Sequence, residues 1–311
     1  MIAYSVLVMI MKQVKFISLG YVSNDYIARV PEIPIDNKVK MTVHSVQGGG
    51  PAGGAAVCAA RLGLSCAFVS SVGADDAGKK ILADLAADNV DISAVKVRQN
   101  CGSPIAYCWV DDAGRRSVVW TMNDLELLRA DEIPAELIAQ AELLHLDGHH
   151  PEAAWAAAQA AKAAGVKVAL DAGTLNDSTG RLAAVADIVI TSEPFALAAT
   201  GSSDPVAAVK TLRQMYPQAE VVGATFGGKG SYFFLDGEVV HIPPFAVDVV
   251  DTTGAGDSFH AGFEVAYLES NEVRYAARFG SAVAAIKCGK LGARAGLPDR
   301  SAVEKFLKEN C

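Results

Sequence analysis

The sequence predicts an α/β protein: a mainly parallel central sheet with helices on both faces, plus a small separate β-sheet. Three observations point to it. From Leu143 onward, short and almost wholly apolar runs alternate with alanine-rich stretches of helical length, and continuous apolar strands belong to sheets buried on both faces. Before that point, three segments instead alternate polar with apolar residues, as strands do when one face is wet. No internal repeat or low-complexity linker divides the 311 residues, so one large domain with a β appendage accounts for the length.

The elements follow in order. Val14 to Leu19 is an apolar run closed by Gly20, which suits a buried first strand. Val30-Pro-Glu-Ile-Pro-Ile-Asp36 comes next, and its prolines exclude a central strand or a helix. Residues 38–46, 104–110 and 116–121 are the alternating segments; the last two are joined by Asp111-Asp-Ala-Gly114, which is hairpin chemistry, and the three together predict the small sheet. Residues 143–146, 166–170, 188–191, 221–225 and 231–235 are the strand-like runs of the main sheet, with 152–164 and 205–215 as helices between them.

With 27 Lys and Arg against 35 Asp and Glu, the formal charge is −8. A duplex nucleic-acid partner is thereby excluded, since such a binder neutralises phosphates with a basic surface. The six cysteines have neither the paired spacing of a zinc ribbon nor a CxxC pair, and reduced thiols in a cytoplasmic enzyme are expected. Met1 to Met11 reads MIAYSVLVMIM; it falls short of the roughly 20 apolar residues of a membrane span and lacks the positive start of a signal peptide. Residues 1–13 are read as an extension, with Met9 or Met11 as candidate starts, and no membrane partner is expected.

The strongest motif is Val249-Val-Asp251-Thr-Thr-Gly254-Ala-Gly256-Asp257-Ser-Phe-His-Ala-Gly262. It passes from apolar residues through a Thr/Gly turn into a helix of small residues, placing the N–H groups of Gly254 to Asp257 at a helix N-terminus, which stabilises anions. Glycines let a phosphate approach the backbone closely. Asp257 is badly sited to bind phosphate but well sited to take a proton from an attacking hydroxyl. A base beside an anion hole is the logic of phosphoryl transfer.

Gly48-Gly-Gly50-Pro51-Ala-Gly53-Gly54 leads into a second alanine-rich helix and formally contains G-x-G-x-x-G, so an NAD-dependent oxidoreductase using Gly48 to Gly53 is a rival reading. Against it, the preceding segment alternates like a half-exposed strand, whereas a dinucleotide fingerprint follows a buried one. Thr225-Phe-Gly227-Gly228-Lys229-Gly230-Ser231 nearly spells a P-loop, but Gly230 stands where a magnesium-binding hydroxyl is required and no helix follows. The residues leave two readings open there: a plain glycine turn, or a hairpin touching a nucleotide phosphate. Asp25 and Asp147-Gly-His149-His150 each follow a strand, where the carboxyl edge of a parallel sheet places ligands. His149 is read as a polar pocket residue rather than a metal ligand, because the i, i+4 spacing is absent.

Asp251-Thr-Thr-Gly-Ala-Gly-Asp-Ser-Phe259 resembles the C-terminal signature of the PfkB (ribokinase-like) sugar kinases, and Gly49-Gly50 through Gly63 resembles their N-terminal one. The similarity runs from Val14 to Pro298. Gly-Gly-Gly-Pro-Ala, residues 247–257, Lys287-Cys288 and Gly292-Ala-Arg294-Ala-Gly296 look most like the branch around sulfofructose kinase and ketohexokinase. The resemblance implies a ribokinase-like fold over residues 14–311 with a β lid at about 21–46 and 103–123, and transfer from ATP with Mg2+ to a hydroxyl, a primary one, of a ketose or related sugar. By position, Asp257 matches the base, and Gly254, Ala255 and Gly256 match the anion hole. Asp25, Gly49 and Gly50 match sugar contacts. Thr225, Gly227 and Gly230 match the ATP-contacting turn, joined by Ser192, Thr252, Ala284 and Cys288. Carbonyls near Asp251 and Thr253 match a monovalent-cation (K+) site.

The chain also departs from the pattern. Gly54 stands where many relatives carry a sugar-binding Asn. Ser192-Glu193-Pro194-Phe195 replaces N-x-x-E, leaving Glu193 to serve magnesium through water. His149 stands where a sulfosugar kinase offers Arg, leaving Lys38 and Arg294 to meet an anionic group. These losses keep a non-catalytic sugar or nucleotide sensor as a second rival. Positive field for the nucleotide is expected from helix N-termini, Lys229, Arg294 and bound magnesium. The half-apolar small sheet suggests a homodimer that hides its second face.

Overall fold

The structure is a computed structural model that describes residues 14–113 and 115–310. The expected extension 1–13, with its candidate start methionines, and Gly114 of the expected hairpin lie outside the described residues.

The chain opens with β1 (Phe16–Leu19), β2 (Ser23–Val30) and β3 (Val43–Gly49), then enters α1 (Pro51–Arg61). β4 (Cys66–Val69), β5 (Ser71–Gly73), α2 (Asp76–Ala87), β6 (Val90–Asp91) and β7 (Lys96–Arg98) follow. β8 (Ile105–Asp111) and β9 (Arg116–Thr121) pair antiparallel, and a short α3 (Ala135–Ile138) leads to the alternating region. That region is β10 (Leu143–Leu146), α4 (Pro151–Ala164), β11 (Lys167–Ala172), α5 (Asp177–Ala183), β12 (Ile188–Ser192), α6 (Glu193–Thr200), α7 (Pro205–Met215) and β13 (Val221–Thr225). β14 (Ser231–Leu235), β15 (Glu238–Ile242), α8 (Ala255–Ser270), α9 (Val273–Cys288) and α10 (Arg300–Glu309) complete it.

Local chemistry sets many of the boundaries. Asp75, Asn176, Ser192, Asp204 and Asp299 cap α2, α5, α6, α7 and α10, each side chain accepting a backbone N–H of the first turn. Prolines open α1, α4, α6 and α7, where a missing N–H costs nothing.

The main sheet has the order β15-β14-β13-β12-β11-β10-β1-β4-β6, parallel from β13 to β6, with β14 and β15 added antiparallel. Successive strand residues face opposite ways. Phe16, Phe68 and Ile190 therefore pack under α1, α8 and α9, while Ile17, Val69, Leu144 and Val189 pack under α4 to α7. This is the two-sided burial that the continuous apolar runs predict, and it delivers the carboxyl ends of β1, β10, β12 and β13 to one edge.

The second sheet has the order β3-β2-β8-β9. It corrects the sequence reading in two ways. β2 is a full strand, central in this sheet; buried along almost its whole length, it lacks the alternation that marks a half-wet strand. The strand expected at 38–46 begins at Val43 and continues to Gly49, so residues 38–42 belong to the connection. One face of the small sheet presents Asp25, Ala106, Cys108, Arg116, Val118 and Trp120 to a cleft against the main sheet. Tyr107, Trp109 and Val119 are exposed. Among the described residues no helix is long and apolar enough to cross a membrane.

Candidate active site

The site is built around the start of α8. Gly254 caps the helix at φ 76°, a left-handed conformation that suits glycine, and a Cβ there would stand 2.9 Å from the Ala293 Cβ. The first helical residues are Ala255, Gly256 and Asp257, whose N–H groups have no partner within the helix ladder. The Ala255 N–H is engaged by Thr252 O at 3.1 Å, closing the turn. Asp251 organises the approach: Oδ1 accepts from Thr253 N (2.9 Å) and Thr253 Oγ1 (2.7 Å), and Oδ2 accepts from Gly292 N (2.7 Å).

Two cavities meet at this helix start. A cleft of about 380 Å³ between the small sheet and the edge of the main one is lined by Tyr21, Ser23, Asp25, Gly50, Arg116, Trp120, His149, Thr253, Gly254 and Asp257, among others. A second cavity of about 300 Å³ is lined by Thr225, Gly227, Gly230, Phe245, Ala255, Ala284 and Cys288, with further apolar residues from the 244–249 connection. Thr252 and Gly256 line both. A Cβ on Gly256 would meet nothing within 4 Å, so the space beside that residue is open.

In the first cleft, Asp25 is held by Ser23 Oγ at 2.5 Å. A Cβ on Gly49 would fall 2.0 Å from Asp25 Oδ2, so this glycine makes room for the carboxylate. Gly54 faces Asp257: a Cβ there would sit 3.5 Å from Asp257 Oδ2, an ordinary contact. Asp147 accepts from the N–H groups of Tyr21 (2.8 Å), Ala52 (3.2 Å) and His149 (2.9 Å), tying the ends of β1 and β10 to the start of α1. Burial alone would raise its pKa, yet the His149 charge and these donors hold it down at about 2. Asp257 is pushed up to about 7, first by burial and then by the charge of Asp171. Beneath it, His260 lies 3.1 Å from Asp171, and His145 lies 2.9 Å from Glu264.

The family model of the pfkB family carbohydrate kinases matches residues 14–300. This chain belongs to that family. It is 32% identical over 304 residues to an ATP-dependent ribose-1-phosphate kinase of Halopiger xanaduensis, covering 95% of this chain and 99% of that one. It is 31% identical over 298 residues to a ribokinase of Haemophilus influenzae, covering 93% and 97% respectively. The solved structure of Arabidopsis thaliana ribokinase complexed with ribose and ATP superposes with a TM-score of 0.81 at 27% identity, over 94% of this chain and 98% of that one.

The structure brings together most of the residues that the pfkB-family resemblance singles out. Asp25, Gly50, His149, Thr253, Gly254, Gly256 and Asp257 line one cleft, and Thr225, Gly227, Gly230, Thr252, Ala255, Ala284 and Cys288 line the other cavity. Four of the expected residues, Lys38, Arg294, Ser192 and Glu193, line neither cavity. Lys38 is exposed in the β2–β3 connection and does not line the cleft. Arg294 is buried behind the glycine loop, with Nη2 3.3 Å from Gly49 O and Nη1 2.1 Å from where a Gly48 Cβ would be. Ser192 caps α6 and donates to Gly173 O at 2.6 Å; it adjoins Thr225 in the sheet without lining the cavity. Glu193 is ion-paired to Lys229 at 2.9 Å. Among the described residues, no group of three His, Cys, Asp or Glu is placed to hold a metal by itself.

Gly48 to Gly53 runs from the end of β3 into α1, and β3 is an antiparallel strand of the small sheet, not a buried strand of a βαβ unit. The dinucleotide fingerprint therefore has no structural support. Sequence reasoning missed Arg116, whose Nη1 donates to Thr253 Oγ1 at 3.3 Å across the cleft, and the aromatic pair of Tyr21 and Trp120. The signal was present in the alternation of β9, which puts Arg116, Val118 and Trp120 on one face.

Proposed function

We propose that this chain transfers the γ-phosphoryl group of MgATP to a primary hydroxyl of a monosaccharide seated in the 380 Å³ cleft, with Asp257 as the general base. The observation that supports it is the meeting of two cavities at Thr252 and Gly256, with Asp257 on the sugar side. Asp25, beside Gly49 and Gly50, holds sugar hydroxyls. The apolar second cavity takes the adenine between Phe245 and Ala284, and the Thr225 to Gly230 turn approaches the phosphates. The hydroxyl loses its proton to Asp257 as its oxygen attacks phosphorus. The amides at the start of α8 face the negative charge that develops there. Magnesium arrives as part of the nucleotide and neutralises phosphate charge. The small sheet acts as the lid that excludes water, and its exposed Tyr107, Trp109 and Val119 form the contact of a homodimer.

The resemblance points to a ketose. Arg116 in the cleft supports a second substrate reading, a pentose that already bears a phosphate, in keeping with the name carried by the Halopiger relative. ADP release measured with fructose, ribose, ribose 1-phosphate, nucleosides and sugar acids tests both. Sugar-dependent turnover with any of them supports a kinase, and its absence across the panel favours the non-catalytic sensor. Preference for the phosphorylated pentose overturns the ketose assignment.

A further inference from the structure

Lys287 is fully buried in the last turn of α9, and its Nζ donates to the Asp251 carbonyl at 2.8 Å. The negative charge of Asp251 acts on it, against the cost of its burial. The Asp251 carboxylate stands beside its own carbonyl. The C-terminal carbonyls of α9 form the negative end of that helix. One of them, Cys288 O, accepts from both Val250 N (2.8 Å) and Asp251 N (3.2 Å), clamping the loop against the helix. A buried carbonyl beside a carboxylate is what a bound monovalent cation would satisfy, and here a side-chain ammonium already holds the Asp251 carbonyl.

We infer that the Lys287 ammonium is a built-in monovalent cation for the Asp251–Gly256 loop, so that this kinase has no potassium requirement. A potassium ion within about 4 Å of the ammonium would bind about a thousandfold more weakly through like-charge repulsion. The residues around Asp251 and Thr253 thus do not fit the K+ site that the family resemblance implies. The loop leading to the anion hole is set by a covalently attached charge instead of by ion occupancy.

The turnover arm of the test rests on the kinase reading, and the melting arm does not. Wild-type turnover and Tm are measured in potassium, sodium and choline chloride at equal ionic strength. Turnover should agree within about twofold and Tm within about 1 °C, as expected when no ion binds the folded state preferentially. Lys287→Ser should lose about tenfold or more in choline and regain turnover on addition of potassium or methylammonium chloride. Wild-type activation of about fivefold by potassium over choline, or a potassium-specific rise in Tm of about 2 °C or more, would overturn the inference. So would a serine variant as active as wild type in choline. If that variant does not fold, the wild-type salt series decides alone. Absence of ADP release in every salt with every sugar refutes the kinase reading and leaves the melting arm as the test of Lys287.

Discussion

Replacing Asp257 by Asn removes a proton acceptor while keeping size and shape. Gly54 has no side chain, and even a Cβ there would stand 3.5 Å from Asp257 Oδ2, so an amide of the same size meets no clash from that side. Loss of a general base slows turnover about 10²–10⁴-fold, or ~3–5 kcal/mol of barrier at ~1.4 kcal/mol per tenfold. Stability should move the other way. Burial, with Asp171 second, raises the Asp257 pKa from 3.8 to about 7, so between those values the folded state binds more protons than the unfolded state. Stability is therefore lost as pH rises through that window, and the deficit persists above it. An uncharged Asn avoids it, and each kcal/mol relieved raises Tm by roughly 2–4 °C in a chain of this class. The assay is sugar-dependent ADP release beside thermal melting at pH above neutrality, with ATP binding followed by its own Tm shift. In the wild type, turnover should rise with pH through about 7 as the carboxylate ionises. Turnover of the Asn variant within tenfold of wild type, or a lower Tm than wild type at alkaline pH, would refute the reasoning.

Arg116→Ala should reduce kcat/KM by roughly 10–100-fold, the worth of one charge-assisted hydrogen bond to the substrate, with the larger loss on a phosphorylated sugar in ADP-release assays. Gly49→Ala places a Cβ 2.0 Å from Asp25 Oδ2 and should weaken sugar use by on the order of 100-fold, while ATP still raises Tm. Glu264→Gln strips the buried partner of His145, and Tm should fall by roughly 10 °C. Burial depresses the His145 pKa, but Glu264 outweighs it and raises the value from 6.5 to about 9. That contribution is complete below the unfolded value and lost as pH rises through about 9, so melting curves of the wild type, unlike the variant, should decline across that alkaline range.

The main sheet was legible because two-sided burial writes itself as unbroken apolar runs: residues 221–225 and 231–235 are strands to the residue, and the helix at 205–215 matches as well. β2 was not legible. Its polar residues Ser23, Asn24 and Asp25 are buried between paired strands, with Ser23 donating to Asp25, and hydropathy cannot report that. The site was legible where glycines and one acid share a short segment, as at Gly254 to Asp257. It was illegible where function depends on what a side chain meets across space. Lys229 and Glu193, 36 positions apart, neutralise each other, and Arg294, expected to meet an anionic group, turns behind the glycine loop. Arg116 reaches Thr253 over 137 positions of sequence, through a hairpin whose alternation gives a face but not a partner.

Those pairings decide where positive potential exists in a chain of charge −8. Lys229 is offset by Glu193, and Arg294, whose charge acts on Asp25, is buried behind the glycine loop, so neither lines the point where the cavities meet. The N-terminus of α8 does, and Arg116 adds the cation that lines the cleft. Two carboxylates stand close in the chain to that point, at 251 and 257. An incoming phosphate chain would be repelled by both if both were uncompensated. The Asp251 carboxylate is spent on Thr253 and Gly292, while Asp257 carries a raised pKa. Compensating the first carboxylate structurally leaves the second as the only one whose charge responds to the reaction, which is the arrangement a general base beside an anion hole requires.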